Sequence, residues 1–277
     1  MLAPSAEAVR VDGGYRVTGS WGWASGCLHS QWAVVGFPVP DERGEVVDQG
    51  LALVPMLDLS IEDTWFVAGM RGTGSNTLVA QDVFVPEHRV ISVPAAIGGR
   101  YGTEHTDEAL YRSAFIPVAA LVLAGPQLGL AQAALELVLE KAPKRSISYT
   151  FYDVQTEAPT VQLAVAKAAA LVDSAHLHAY RAAADIDQAA ADGVYPDYAA
   201  RARVRMDTGW AIEQAREAVR VLVSAHGASS FAESSPLQRI WRDSEVASRH
   251  AVINPAISSE VYGRALLGIT DGVTALV

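Results

Sequence analysis

Three short stretches of the 277-residue chain carry residue types that can do chemistry. WGWASGC, Trp21 to Cys27, sets two indoles, the Ser25 hydroxyl and Gly26 close together at what reads as a strand end. An aromatic face beside a small polar group suits a planar, partly polar ligand. A core strand with an incidental serine accounts for the same letters, and composition alone favours it. KRSIS, Lys144 to Ser148, puts Arg145 and two serines where the spacing predicts the opening of a long helix. Charge and free backbone N–H groups at a helix start hold phosphate. Capping by Ser146 or Ser148 explains the serines equally well. RIWRDSEVASRH combines Arg239, Arg242 and Asp243 with His250. A salt-bridged helix surface is the usual fate of such a run. A lone histidine is more often packed or solvated than catalytic.

Other patterns are absent. His176 and His178 stand two apart on an expected helix and so face different ways. No HExxH or CxxC occurs, and no metal site is expected. GMRGTGS is glycine-rich but lacks the P-loop lysine and leads into a strand rather than a helix. No GxSxG elbow supports serine hydrolase chemistry.

The elements that must position these residues change character along the chain. Residues 1–97 read as strands. Asp12-Gly13-Gly14 marks a hairpin, and QWAVVGFPV, GLALVPM and TLVAQDVFVP are β-rich runs bounded by Gly, Pro or Asp. Residues 98–277 turn helical. Apolar residues recur at three- and four-residue spacing through the TVQLAVAKAAALVDSAHLHAYRAAADIDQAAADG run, which Gly193 ends. Further helices are expected from Asp197 to His226, from near Pro236, and over ISSEVYGRALLG. The fold class is therefore α+β: an antiparallel β-sandwich or barrel domain, 1–97, followed by a four-helix-type bundle, 98–277.

Half the chain is hydrophobic and its net charge is −10. Charge alone will not draw it to nucleic acid or to anionic lipid. The longest apolar run, FIPVAALVLAG, is too short to span a bilayer, and no membrane partner is expected. A basic start followed by a long apolar core is missing, so no signal peptide is expected. One cysteine, Cys27, excludes a disulfide within these residues and fits a cytoplasmic location.

Taken together, the stretches resemble one family. VAGMRGTGSNTLVAQDVFVPEHRVI is similar to the middle β-domain signature of the acyl-CoA dehydrogenase superfamily, and WGWASG resembles its flavin-contacting strand. SSPLQRIWRDSEVASRH with EVYGRALLG is similar to the flavin-dependent monooxygenase branch related to 4-hydroxyphenylacetate hydroxylase and naphthocyclinone-type hydroxylases. Dehydrogenases of one large class carry a glutamate base just after the corresponding Arg-Asp segment. The slot here falls on Ala251, whose methyl accepts no proton. Its neighbour His250 matches the histidine that the monooxygenase branch places by the flavin.

The resemblance implies the oxygenase component of a two-component monooxygenase. It would hydroxylate an aromatic or polyketide-like small molecule through a flavin C4a-hydroperoxide. A separate reductase would supply reduced FMN, or FAD. Trp23, Ser25 and Gly26 would contact the isoalloxazine, with Ser25 bonding near N5. Arg145 and Ser148 would hold the phosphate, joined by Ser229 and Ser230 from a neighbouring subunit. Catalysis would fall to His250 and Ser25. The family also implies a homotetramer, a dimer of dimers. It opens with a helical domain of about 100 residues, whereas the start of this chain already resembles the central β domain. A fragment or shortened homologue with impaired flavin binding is the expectation. Three other readings stay open: an acyl-CoA dehydrogenase using Glu157 or Glu213, an amino-sugar N-oxygenase, and a degenerate non-catalytic chain.

Overall fold

The computed structural model describes residues 5–277; Met1 to Pro4, the start of the expected β domain, lie outside them. The described chain divides into two compact units, Met1–Tyr111 and Arg112–Val277. Residues 98–111, which the sequence places with the helices, go with the strands. Glycines and charged residues interrupt this stretch after the short helix α1 (Val93–Ile97), so no long helical face develops there.

The first unit holds two antiparallel sheets. β1 (Ala6–Val11), β2 (Gly14–Trp21), β6 (Thr77–Pro86) and β5 (Ser60–Glu62) form one, in that order. β3 (Trp32–Pro40), β4 (Val46–Pro55) and β7 (Val90–Ser92) form the other. The expected hairpin joins β1 to β2, and Gly13 takes the left-handed turn position at φ 76°. Inward side chains alternate along the strands and meet between the sheets: Tyr15, Val17 and Trp21 from one, Val35, Phe37 and Val54 from the other. Tyr15 and Phe37 meet edge-on at 5.3 Å. The Trp21 indole N–H donates to Gly36 O at 2.8 Å, so this buried ring satisfies its one polar atom across the core. Gly14 lets β2 and β6 close: a Cβ there would stand 2.2 Å from Val85 O.

The second unit is a helical bundle. α2 (Phe115–Leu121) and α3 (Ala124–Lys141) precede the long pair α4 (Pro159–Ala191) and α5 (Tyr198–His226), followed by α6 (Pro236–Ala247) and α7 (Pro255–Leu266). Asp197 caps α5 by accepting from Ala200 N, and Gly227 ends it at φ 88°. Small residues let the helices approach: Ala134, Ala168, Ala175, Ala211, Ala215 and Ala218 are wholly buried in the main core. Phe115–Lys144 is long and apolar enough to cross a membrane by length and composition. Its inward positions, Ala131, Ala134 and Val138, belong to the bundle core.

The KRSIS stretch does not open the long helix. Pro143 lies in a 3-10 turn after α3, residues 145–154 run as a loop into a second 3-10 turn, Gln155–Glu157, and α4 begins only at Pro159. Proline fits the first helical turn, where its missing N–H is not needed. The loop turns through Tyr149 at φ 62° and exposes Tyr149 and Phe151 fully.

Candidate functional site

In the strand unit, the residues after β2 form an exposed shelf. Trp23 holds φ 63°, a strained value for a tryptophan, and its ring is 73 % exposed. The Trp65 ring supports it edge-on at 5.0 Å. Backbone bonds tie this loop to the glycine-rich loop: Ala24 N donates to Asn76 O, and Gly26 N to Thr73 O. Asn76, itself buried, accepts from Thr64 N and Trp65 N through Oδ1. Trp23, Ser25 and Gly26 are thus brought together as the sequence predicts. Trp21 is not part of the shelf, because it faces the sandwich core.

Ser25 lies at one end of a row of hydroxyls. Its Oγ is 2.8 Å from Ser75 Oγ, which is 2.6 Å from Thr73 Oγ1, and Thr73 donates to Met70 O at 2.9 Å. The same carbonyl accepts the Trp65 indole N–H at 3.0 Å. The sequence places Thr73 and Ser75 in a segment similar to the family's β-domain signature but assigns neither of them a role. The alternating hydroxyls beside the strand were the available signal.

In the helical unit, Arg145 is fixed from both sides. One guanidinium nitrogen is 2.6 Å from His226 Nε2, and another donates to Ser229 Oγ at 2.7 Å. Arg145 and Ser229 therefore meet within one chain, where the sequence reading had placed Ser229 on a neighbouring subunit; the turn after α5 carries it back onto the loop. Ser230 is buried and donates to Val223 O. Ser148 is exposed, three residues further along the loop. His226 is 97 % buried by the bundle, and burial, then the cations of Arg145 and Lys141, hold its pKa below the ordinary value. It faces Arg145 as a neutral acceptor.

His250 sits just past α6, on the exposed side of a short turn. Its Nδ1 accepts Val252 N–H at 3.3 Å and caps the turn that Ala251 begins. An Nδ1 that accepts must be unprotonated, so the neutral ring carries its hydrogen on Nε2. Desolvation lowers its pKa and favours that neutral form.

Glu245 gathers ion pairs nearby: it meets Arg220 at 2.6 Å and Arg249 at 2.7 Å. Helical spacing turns position 245 toward α5. Burial pushes the Glu245 carboxyl up, the hydrogen bonds from Arg220 and Arg249 pull it down, and the balance lies below the ordinary value. Glu213, one alternative base, is held by Arg216 at 2.5 Å. The other, Glu157, lies in a short 3-10 turn. His178 is more than a surface histidine, since its Nδ1 is 2.9 Å from the buried carboxylate of Asp207, which Arg181 also grips. Both line an open groove of about 450 Å³ with Asp173, Ser174, Ala170 and Leu177. No cluster of metal-ligating side chains occurs among the described residues.

Each unit carries side chains whose chemistry suits one part of a flavin. A supported indole beside a hydroxyl suits the isoalloxazine, and an arginine with a serine hydroxyl suits a phosphate.

Comparison with known proteins shows the family. Residues 121–255 match the family described as acyl-CoA dehydrogenase, C-terminal domain. The chain is 34 % identical over 273 residues to the flavin-dependent monooxygenase oxygenase subunit HsaA of Mycobacterium tuberculosis, covering 98 % of this chain and 69 % of that protein. It is 34 % identical to the oxygenase component of the FADH2-dependent resorcinol hydroxylase of Rhizobium sp., covering 96 % and 68 %. XiaF from Streptomyces sp., solved with FADH2 and glycerol, superimposes with a TM-score of 0.91 at 42 % identity, over 99 % of this chain and 69 % of that one.

Proposed function

Since the chain belongs to the flavin-dependent monooxygenase oxygenase subunits of the acyl-CoA dehydrogenase superfamily, we propose that it is the oxygenase component of a two-component system that hydroxylates an aromatic small molecule. A reduced flavin, made by a separate reductase, supplies the electrons that activate dioxygen when bound. FADH2 in XiaF and FMN in a more distant neighbour support either form.

The residues of this chain hold, orient and protect. Arg145 and Ser229 would hold the flavin phosphate by donated hydrogen bonds. Trp23 and Ser25 would contact the isoalloxazine, and His250 would donate from Nε2 to oxygen as negative charge develops there. The observation that carries this reading is the pair His250 and Ala251: an imidazole with a free N–H beside a methyl, where a thioester dehydrogenase needs a carboxylate.

We place the protein in the cytoplasm, supported by its buried free thiol. The assembly is read as a homotetramer, supported by the exposed Leu163, Leu177 and Tyr180 of α4. The test supplies chemically reduced FMN or FAD, labelled dioxygen and a panel of phenols. One labelled oxygen in a hydroxylated product is the expected result. No labelled product, with bound oxidised flavin bleached by an acyl-CoA, would overturn it.

A further inference from the structure

The row of hydroxyls behind Ser25 has a direction. Each hydroxyl has one hydrogen to give. The carbonyl of Met70 can only accept, so Thr73 spends its hydrogen there, at 2.9 Å. The 2.6 Å bond between Thr73 and Ser75 must then use the hydrogen of Ser75. That leaves the 2.8 Å bond between Ser75 and Ser25 to the hydrogen of Ser25. Ser75 is 97 % buried and has no solvent route to another arrangement. The exposed oxygen of Ser25 therefore presents lone pairs and no hydrogen.

We infer that Ser75 and Thr73 are positioning residues that fix Ser25 as a hydrogen-bond acceptor, and that this polarity makes the site select reduced over oxidised flavin. The inference rests on the placement of Ser25 against flavin N5. In the reduced ring N5 carries a hydrogen and donates. In the oxidised ring N5 has a lone pair and needs a donor. An acceptor facing the first makes a bond; facing the second, it opposes one lone pair to another. The difference falls on the affinity ratio of the two redox states, and the fold is indifferent to it.

The experiment measures dissociation constants of oxidised FMN in air and of dithionite-reduced FMN under argon, for the purified protein and three variants. The wild type binds the reduced form more tightly. Ser75→Ala frees the Ser25 hydrogen to turn outward, and the ratio of the two constants drops about tenfold, the scale of one hydrogen bond gained or lost. Thr73→Val, which keeps the side-chain shape, turns the Ser75 hydrogen toward Ser25 and lowers the ratio in the same direction. General damage would weaken both redox states alike and leave the ratio standing. Ser25→Ala tests the placement itself. If it shifts the ratio while Ser75→Ala and Thr73→Val leave it at the wild-type value, the inference is wrong. If Ser25→Ala changes neither affinity, the placement of Ser25 against N5 is wrong as well.

Discussion

His250 is oriented by its own chain, with Nδ1 accepting the N–H of Val252 two residues on. The ring therefore arrives with its tautomer chosen and Nε2–H available. His250→Ala removes that donor and leaves the turn to the backbone. Hydroxylation with chemically reduced flavin should fall about a hundredfold, in the range for a lost donor to developing charge. Hydrogen peroxide release, followed by a peroxidase-coupled assay, should rise. Unchanged product and unchanged peroxide would remove His250 from the chemistry.

Arg145 is predicted to read the phosphate and nothing else of the flavin. Arg145→Gln should weaken reduced FMN by about tenfold to a hundredfold, as for a lost charge-assisted hydrogen bond. Riboflavin, which lacks the phosphate, should bind both proteins equally. Equal losses for the two ligands would mean that Arg145 merely keeps its loop in place.

Acid should loosen the bundle in two stages. His226 has a folded pKa below its ordinary value, so its contribution to stability is complete above about pH 6.5 and is lost as pH falls below that. Glu245, also depressed, contributes fully above the ordinary carboxylate pKa of about 4.3 and is lost below it. His250 is depressed in the same direction, so His226→Gln should reduce the fall of the urea midpoint between pH 7 and 5, the double variant with His250→Ala should flatten it, and both should keep the drop below pH 4.5. A variant that tracks the wild type through the upper window would show that another group titrates there.

Gly14→Ala should damage the sandwich. The added methyl meets Val85 O at 2.2 Å and Pro86 Cα at 2.9 Å, both backbone atoms. A cost of about 2–3 kcal/mol is expected from such overpacking, measured by denaturant unfolding. A neutral result would show that β2 and β6 can part without loss.

The strand and helix halves were legible from composition and period, because alternation and three-to-four spacing follow directly from which faces are buried. Trp23, Ser25 and Gly26 could be grouped because they are neighbours in the chain. Arg145 and His226 could not: 81 residues separate them, and only the packing of the bundle joins them. The KRSIS serines misled for a local reason. They resemble helix caps, but Pro159 offers a better start fourteen residues after Arg145. Ser75 and Thr73 were missed because their significance lies in hydrogen direction, which residue letters do not carry.

Trp21 bolts the two sheets together through Gly36, and the shelf bearing Ser25 starts at the very next residue. The Ser25 hydroxyl is thus mounted on the joint of the sandwich, with almost no intervening chain to absorb slack. Warming or mutation that slackens this joint should blur oxygen transfer before the domain comes apart, so catalytic fidelity would serve as an early gauge of its tightness.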